Sequence, residues 1–542
     1  MGYDARQLRA RMSTRPRKSS ARVTLVLLGA AALASCGEQE SALRRDLYSS
    51  KEDCLKDWGD ELKCAEQTGP ERGSGSSGSR GGFWYGPFYR SGAHGSSAIS
   101  RPHGSIDSPR PGSHAVGTSH ISRGGFGGSA SAHASGGSWW RRGRRGRRDR
   151  LPLPVVVFDR RAVIRETRSP RQDWREDCEA AGFSFHSMDG VYWDESHCYR
   201  FTSDEIDELE AATRELHQLS LAAVEHVIAT DRFEQLAIAP GFAEWIRTSW
   251  KAREPALAGR FDLAYDGRHP PKLLEYNADT PTALLEASVI QWRWLQGAIR
   301  PELPDADQFN SLHEKLIANW RAIGVTISGN VPVHFACVKE SEEDFGTIEY
   351  QRDVATQAGM ATRFVYIEDI GWADDARCFV DDGGDEISML CKLYPWEWLI
   401  KDEFGPRLLQ TRMRVIEPPW KMLLSTKGLL PILWELNPGH PNLLPSSFDR
   451  FRISGDYVQK PMYSREGANV SVYRGGEVLR EGGSYGEEGW VYQAYTEIPR
   501  FDDCYVTIGS WIVGDDPSGI GLREDATPIT RNTSRFVPHY FI

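Results

Sequence analysis

Arg260-Phe261-Asp262-Leu263-Ala264-Tyr265-Asp266-Gly267 and, after His269-Pro270-Pro271, Lys272-Leu273-Leu274-Glu275-Tyr276-Asn277 form the stretch that decides the fold of this chain. Phe261–Tyr265 reads as one strand and Lys272–Asn277 as a second, with Asp266-Gly267 opening the turn: a β-hairpin with a lengthened connection. Side chains alternate between faces along a strand, so Arg260 shares a face with Asp262, and Glu275 with Asn277. With the two faces on the same side, a guanidinium, two carboxylates and an amide oxygen converge. Such a group makes a poor core and a good seat for a hard cation. Magnesium takes oxygen ligands and typically uses one or two carboxylates beside nucleotide phosphates. Asp262, Glu275 and Asn277 are therefore candidate metal ligands. Arg260 is the candidate that meets phosphoryl oxygens with a fork of donors. On the hairpin alone, a surface ion-pair cluster remains the competing reading.

Upstream, Thr202-Ser203-Asp204-Glu205 has the form of a capping box, and Leu209, Leu216, Ala223 and Val227 follow at helical spacing. They predict a long amphipathic helix over 203–229. Downstream, Pro281 and Ala283–Leu295 predict another helix. Strands are expected at Pro332–Ala336, Thr362–Tyr366, Tyr457–Lys460, Trp490–Gln493 and Tyr505–Ile512. Strands mixed with helices along the whole stretch indicate an α/β (α+β) enzyme-like domain.

The C-terminal third adds cations. Lys427 lies in Ser425-Thr426-Lys427-Gly428, and Lys460, in Val458-Gln459-Lys460-Pro461, closes an apolar strand. A lysine in that place suits a phosphate contact. In Ser464-Arg465-Glu466-Gly467-Ala468-Asn469, small residues around Gly467 let backbone N–H groups approach an anion. It is not a Walker motif. Arg523-Glu524-Asp525 follows Gly519 and Gly521.

RFDLAYDG, LLEYNADTPT, LYPWEW, KGLLPILW, KPMYSREGANV and GLRED occur in that order between about residue 170 and the end of the chain. On these motifs the stretch resembles the synthetase domain of glutathionylspermidine synthases and their stand-alone relatives. The resemblance implies a pre-ATP-grasp region followed by an ATP-grasp-like fold of circularly permuted order, with ATP and Mg2+. It implies magnesium at Asp262, Glu275 and Asn277, and stabilisation of the transferring phosphoryl group by Arg260. Lys427 and Lys460 are expected to contact ATP, and Gln493, Ala494, Tyr495 and Thr496 to lie beside the adenine. Ser464, Arg465, Gly467 and Asn469 belong to the loop expected to close over the phosphates. Arg523 is expected to reach the acyl-phosphate region, and Thr280 and Thr282 fall near the peptide substrate. Two positions depart from the family: Thr507 stands where it has a glutamine beside the nucleotide, and Leu393 where it has a threonine in the peptide region. Nothing in residues 1–150 resembles the amidase domain of the bifunctional members.

The rest of the 542-residue chain differs in composition. Arg15, Arg17, Lys18 and Arg22 precede the apolar run Val23–Leu33, and Leu33-Ala34-Ser35-Cys36 closes it. This pattern is that of a secretory signal, and its ending resembles a bacterial lipobox, which implies membrane attachment through Cys36. Met12 is an alternative start. Residues 37–70 form a short charged segment, and 71–154 a Gly/Ser/Arg-rich linker, read as disordered because it buries too little apolar surface to fold. With Phe83-Trp84-Tyr85-Gly86-Pro87-Phe88-Tyr89, this part resembles small bacterial envelope lipoproteins. The basic block 141–150 reads as a solvated linker, with no nucleic-acid partner expected. The chain's net charge is -10. Cys54 and Cys64 are a candidate pair for an exported segment. The cysteines at 178, 198, 337, 378, 391 and 504 lack metal-ligand spacing and read as buried thiols.

The function expected for 155–542 is an ATP- and magnesium-dependent C–N ligase joining a small peptide-like acid to an amine through an acyl phosphate. An envelope lipoprotein with a non-catalytic ligand-binding domain, and a fusion of two neighbouring proteins, stand as alternatives. The ATP requirement points to the cytoplasm and the lipobox to the membrane.

Overall fold

The computed structural model describes residues 43–59, 64–66, 84–86, 89–90, 97–98, 117–136, 163–187, 190–327 and 331–542. The hairpin forms inside a larger antiparallel sheet. Its strands run in the order Lys272–Asn277, Ala258–Ala264, Cys504–Val513, Asp516–Asp525 and Arg535–Val537, with Arg500–Phe501 beside Cys504–Val513. Glu275 stands opposite Asp262 and Asn277 opposite Arg260. A regular ladder continuing from the Leu273–Leu263 pair would set Leu274 against Asp262 and turn Glu275 to the other face. A bulge between Leu273 and Glu275 restores the register that brings both carboxylates to one side.

Both faces of this sheet are covered, and the strand Cys504–Val513 is accordingly apolar on both. Val506, Ile508 and Ile512 join the core with Leu209, Leu216, Ala223 and Val227 of the helix Ser203–Ala229. Trp511 and Val513 pack on the other face with Leu312, Leu316, Trp320 and Ile323 of the helix Leu312–Val325. The capping box of the first helix is formed: Glu205 N–H donates to Thr202 Oγ1 at 3.3 Å, and Thr202 N–H to Glu205 Oε2 at 2.7 Å. The helix expected over Ala283–Leu295 takes another form. Ala283 has φ +66°, and wide π-type turns at Glu286–Ile290 and Leu295–Ile299 flank a short α-helical segment. Ser288 and Gln291 each donate a side-chain hydrogen bond to the carbonyl four residues back, inserting polar groups into the helical ladder.

A four-stranded parallel sheet lies beside it, ordered Thr362–Tyr366, Val333–Cys337, Met389–Lys392 and Arg414–Ile416. The helix Glu342–Gln357 connects its first two strands in sequence. A third, antiparallel sheet, ordered Ser446–Ser447, Trp490–Ala494, Tyr457–Pro461, Ser471–Arg474 and Glu477–Arg480, carries Lys460, Gln493 and Ala494. At the back, His539–Phe541 runs parallel to His197–Phe201, tying the end of the chain to the start of the domain.

Part of the stretch read as disordered is ordered. Gly117–Arg123 is a strand paired with Gly371–Ala373 of the main body, followed by the helix Gly128–Gly136. The linker reading therefore fails at 117–136: Phe126 supplies an aromatic side chain that a groove between Phe379 and Phe404 buries. Cys54 and Cys64 form a disulfide. Cys178, Cys198, Cys337 and Cys391 are buried thiols, whereas Cys378 and Cys504 are partly exposed. The signal-like segment with Cys36 and the basic block 141–150 lie outside the described residues. No helix among the described residues is long and apolar enough to cross a membrane.

Candidate active site

The bulged hairpin holds Arg260 and Asp262 in a two-pronged pair, with Nε donating to Oδ1 at 2.7 Å and Nη2 to Oδ2 at 3.1 Å. Arg260 Nη1 also donates to the Thr282 carbonyl at 2.8 Å. The guanidinium lies across the neighbouring strand, where Gly509 leaves it room: a Cβ there would fall 2.7 Å from Arg260 Cδ. Asn277 Nδ2 bridges the two carboxylates, donating to Asp262 Oδ2 at 3.2 Å and Glu275 Oε1 at 3.1 Å. Two carboxylates aimed at one point fit a hard divalent cation. A flip of the Asn277 amide would turn a third oxygen to it. The donor set thus suits Mg2+ at Asp262, Glu275 and Asn277. Burial and the neighbouring Glu275 charge raise the pKa of Asp262 against the pull of Arg260. Burial also acts to raise Glu275, but Lys427 and Lys460 outweigh it and hold that carboxyl down at about 2.

The lysines come from other elements. Lys427 Nζ lies 3.2 Å from Glu275 Oε2 and donates to the Ser464 carbonyl at 2.9 Å. Lys460 Nζ donates to the Leu274 carbonyl at 2.7 Å and to Gln493 Oε1 at 2.8 Å, and Gln493 Nε2 donates to the Leu273 carbonyl. Burial lowers the Lys460 pKa to about 8, with Glu275 opposing and Lys427 assisting.

Two cavities meet on this group. One is lined by Leu274, Val458, Val472, Ile498 and Ile529, with Lys460, Gln493, Ala494, Tyr495, Thr496 and Thr507 at its polar edge. Apolar walls with a few polar groups suit a flat aromatic base. The other, the larger of the two, is lined by Arg260, Asn277, Thr280, Thr282, Leu393, Trp398, Arg465 and Arg523. Asp262, Glu275, Gly467 and Thr530 belong to both. The second cavity opens past the ends of Val333–Cys337 and Met389–Lys392, where parallel strands commonly present ligands.

The structure thus brings nearly all the expected residues together. Lys427 and Ser464 line an adjoining recess that also contains Glu275, Thr280 and Arg465. Arg465 Nη2 donates to Thr280 Oγ1 at 2.7 Å. Arg465 Nε, Arg523 Nε and Ser464 Oγ are buried without a hydrogen-bond partner, a set of polar groups suited to an anionic ligand. Asn469 lines neither cavity. It sits at φ +58° and donates to the Tyr485 carbonyl at 2.5 Å, which shapes the loop rather than the pocket wall. Leu393 lines the larger, polar cavity and Thr507 the apolar one, and Thr507 Oγ1 is 2.9 Å from Thr530 Oγ1.

The sequence reading passed over Glu343, Asp344 and Glu466, which bring three carboxyls to the wall of the larger cavity. Burial raises the pKa of Glu343 and Glu466, and burial with the Glu343 charge raises Asp344 to about 7. The signal was masked: Glu342, Glu343 and Asp344 follow Ser341 as an ordinary acidic first turn, and Ser341 caps the helix. Thr530 and Asn532 were missed as well, lying in a loop without a motif.

A base-sized cleft joined to a polar cavity at two carboxylates, two lysines and an arginine is the layout of an enzyme that activates an acid with ATP. Residues 165–542 match the family model described as glutathionylspermidine synthase preATP-grasp. A Haemophilus influenzae protein named as an acid–amine ligase is 42% identical over 387 residues, covering 69% of this chain and 98% of that protein. The trypanothione synthetase of Crithidia fasciculata is 31% identical over 351 residues, covering 59% of this chain and 53% of its own length. The bifunctional glutathionylspermidine synthetase/amidase of Escherichia coli is 29% identical over 381 residues, covering 64% of this chain and 59% of its own. The chain spans little more than half of those two longer relatives. It is an ATP-dependent carbon–nitrogen ligase with a mixed α/β fold of the ATP-grasp type. It belongs to the glutathionylspermidine synthase pre-ATP-grasp family.

Proposed function

We propose that this chain forms an amide between a peptide-like carboxylate and an amine through an acyl phosphate. The observation that carries the reading is the junction of the two cavities at Asp262, Glu275, Gly467 and Thr530. The nucleotide lies in the apolar cleft with its phosphates toward Lys460 and Lys427. A substrate carboxylate oxygen attacks the γ-phosphorus, the bond to ADP breaks, and the acyl phosphate remains in the larger cavity. The amine then attacks the acyl carbon and inorganic phosphate leaves. Arg260 and Arg523 face the charge that develops on the transferring group, and catalysis of this step is mainly positioning and charge stabilisation. Mg2+, when bound at Asp262, Glu275 and Asn277, supplies further neutralisation of the phosphoryl oxygens.

Glu343, Asp344 and Glu466 favour a cationic amine as the second substrate: an ammonium placed beside them relieves their mutual repulsion. Leu393 removes a hydroxyl from the substrate wall, so the acid differs from one recognised through that hydroxyl. The ATP requirement favours a cytoplasmic ligase domain, while the Cys36 segment favours a lipid anchor. Fractionation and the mass of the native protein separate these. Magnesium-dependent ADP release with panels of acids and amines tests the reaction. Intact turnover in Asp262→Asn and Glu275→Gln would sink the metal assignment.

A further inference from the structure

We propose that residues 121–132 clamp the substrate cavity in cis, positioning Tyr394 and Trp398 for the co-substrates; this rests on the ligase reading of that cavity. Three sets of contacts carry it. Ile121–Arg123 extend the sheet edge at Gly371–Ala373. Phe126 is 2% exposed and packs between the rings of Phe379 and Phe404, with centroids 5.2 and 5.4 Å away. Asp402 then links segment and cavity: it accepts from Gly127 N–H at 2.9 Å, from Ser129 N–H at 2.8 Å, and from the Tyr394 hydroxyl at 2.8 Å. Ala130 N–H in turn donates to the Tyr394 hydroxyl, and Ser129 Oγ to the Trp398 carbonyl.

Tyr394 and Trp398 line the larger cavity. The Arg465 guanidinium lies over the Trp398 ring at 5.5 Å and reaches Thr280 as well. The clamp therefore acts on the co-substrate side and leaves the nucleotide cleft untouched. Two of its four glycines, Gly125 and Gly127, are required by close approach. A Cβ on Gly125 would meet the Phe404 ring at 2.2 Å, and Gly127, at φ +93°, would meet Glu368 Cγ at 2.6 Å. The buried Asp402, satisfied by the segment's own N–H groups, would lose two of its donors if the segment left.

Gly125→Val in the full chain tests this. Hydrogen exchange at 394–402 should quicken, and the KM for the acid or amine should rise by roughly tenfold while the KM for ATP stays put, as expected when only co-substrate positioning is lost. Unchanged exchange, or equal changes in both KM values, overturns the clamp. A protease site placed within 137–150 gives a second reading that survives a poorly folding variant. After cleavage the 121–132 piece should stay bound to the ligase body, and its release from the parent protein overturns the proposal. Absence of ADP release from the parent with every pair would count against the ligase reading alone, because exchange and retention still decide the clamp.

Discussion

Arg260 and Asp262, two residues apart on one strand, are locked together by two parallel hydrogen bonds of 2.7 and 3.1 Å. The pair is nearly buried, at 8% exposure for each residue, so each charge depends on the other for solvation. Breaking such a pair by deleting one partner costs about 3–5 kcal/mol where the remaining charge stays unpaired. The pair thus fixes a guanidinium at the cavity junction at some cost in tolerance to mutation.

Arg260→Gln should lower kcat for ADP release by roughly 10²–10³-fold, the size of effect seen when one pre-placed donor to developing charge is removed. The KM for ATP should change much less, because Arg260 itself does not line the apolar cleft. Steady-state kinetics with ATP varied at saturating co-substrates reads both.

Lys460 gives a pH dependence with two opposite signs. Burial lowers its folded-state pKa to about 8 from an ordinary 10.5. Between these values the unfolded chain binds more protons, so Lys460's contribution to stability rises with pH across that window. Nucleotide binding runs the other way, since the phosphates need the ammonium. ATP affinity should weaken as pH climbs through about 8, and Lys460→Met should bind ATP weakly with that dependence flattened. Calorimetric titrations across this range, paired with urea unfolding, check both signs.

Gly467 sits at φ +71°, and a Cβ there would lie 2.5 Å from Ile529 Cγ2 and 2.9 Å from the Thr530 carbonyl. Gly467→Ala should therefore push the loop off Thr530 at the junction of the cavities. The expected loss of ATP affinity is about 1–2 kcal/mol, roughly five- to thirtyfold, from the strain of a left-handed non-glycine residue. Binding assays with a non-hydrolysable nucleotide measure it; an unchanged Kd would show that the loop tolerates the side chain.

Leu393→Thr puts a hydroxyl back on the substrate wall. If the leucine excludes glutathione, the variant should gain about tenfold in kcat/KM for glutathione relative to the parent, since specificity depends on pairing of such polar groups. Competition between glutathione and the parent's preferred acid reads the change. Some stability is lost because Leu393 is 5% exposed, about 1–2 kcal/mol for removing a buried apolar branch.

The local grammar of the chain determined much of this. Thr202 and Glu205 announced the helix Ser203–Ala229, because a capping box is made within four residues. Period-two alternation paired Arg260 with Asp262 and Glu275 with Asn277, because each pair belongs to a single strand. The ordered motifs pointed to Lys427, Lys460 and Arg523. Only the tertiary structure decided that the two pairs share a face: that depends on a one-residue bulge after Leu273, which no alternation pattern reveals. Only it brought Glu343 and Asp344 to the cavity, since their local pattern is satisfied by an ordinary helix start. Only it seated Phe126 beside Phe404, 278 residues on in the numbering (404 minus 126), because a glycine-rich segment gains order from a groove built elsewhere. Spacing specifies what neighbours along the chain can do together; register and long-range closure depend on surfaces that exist only once the sheets have packed.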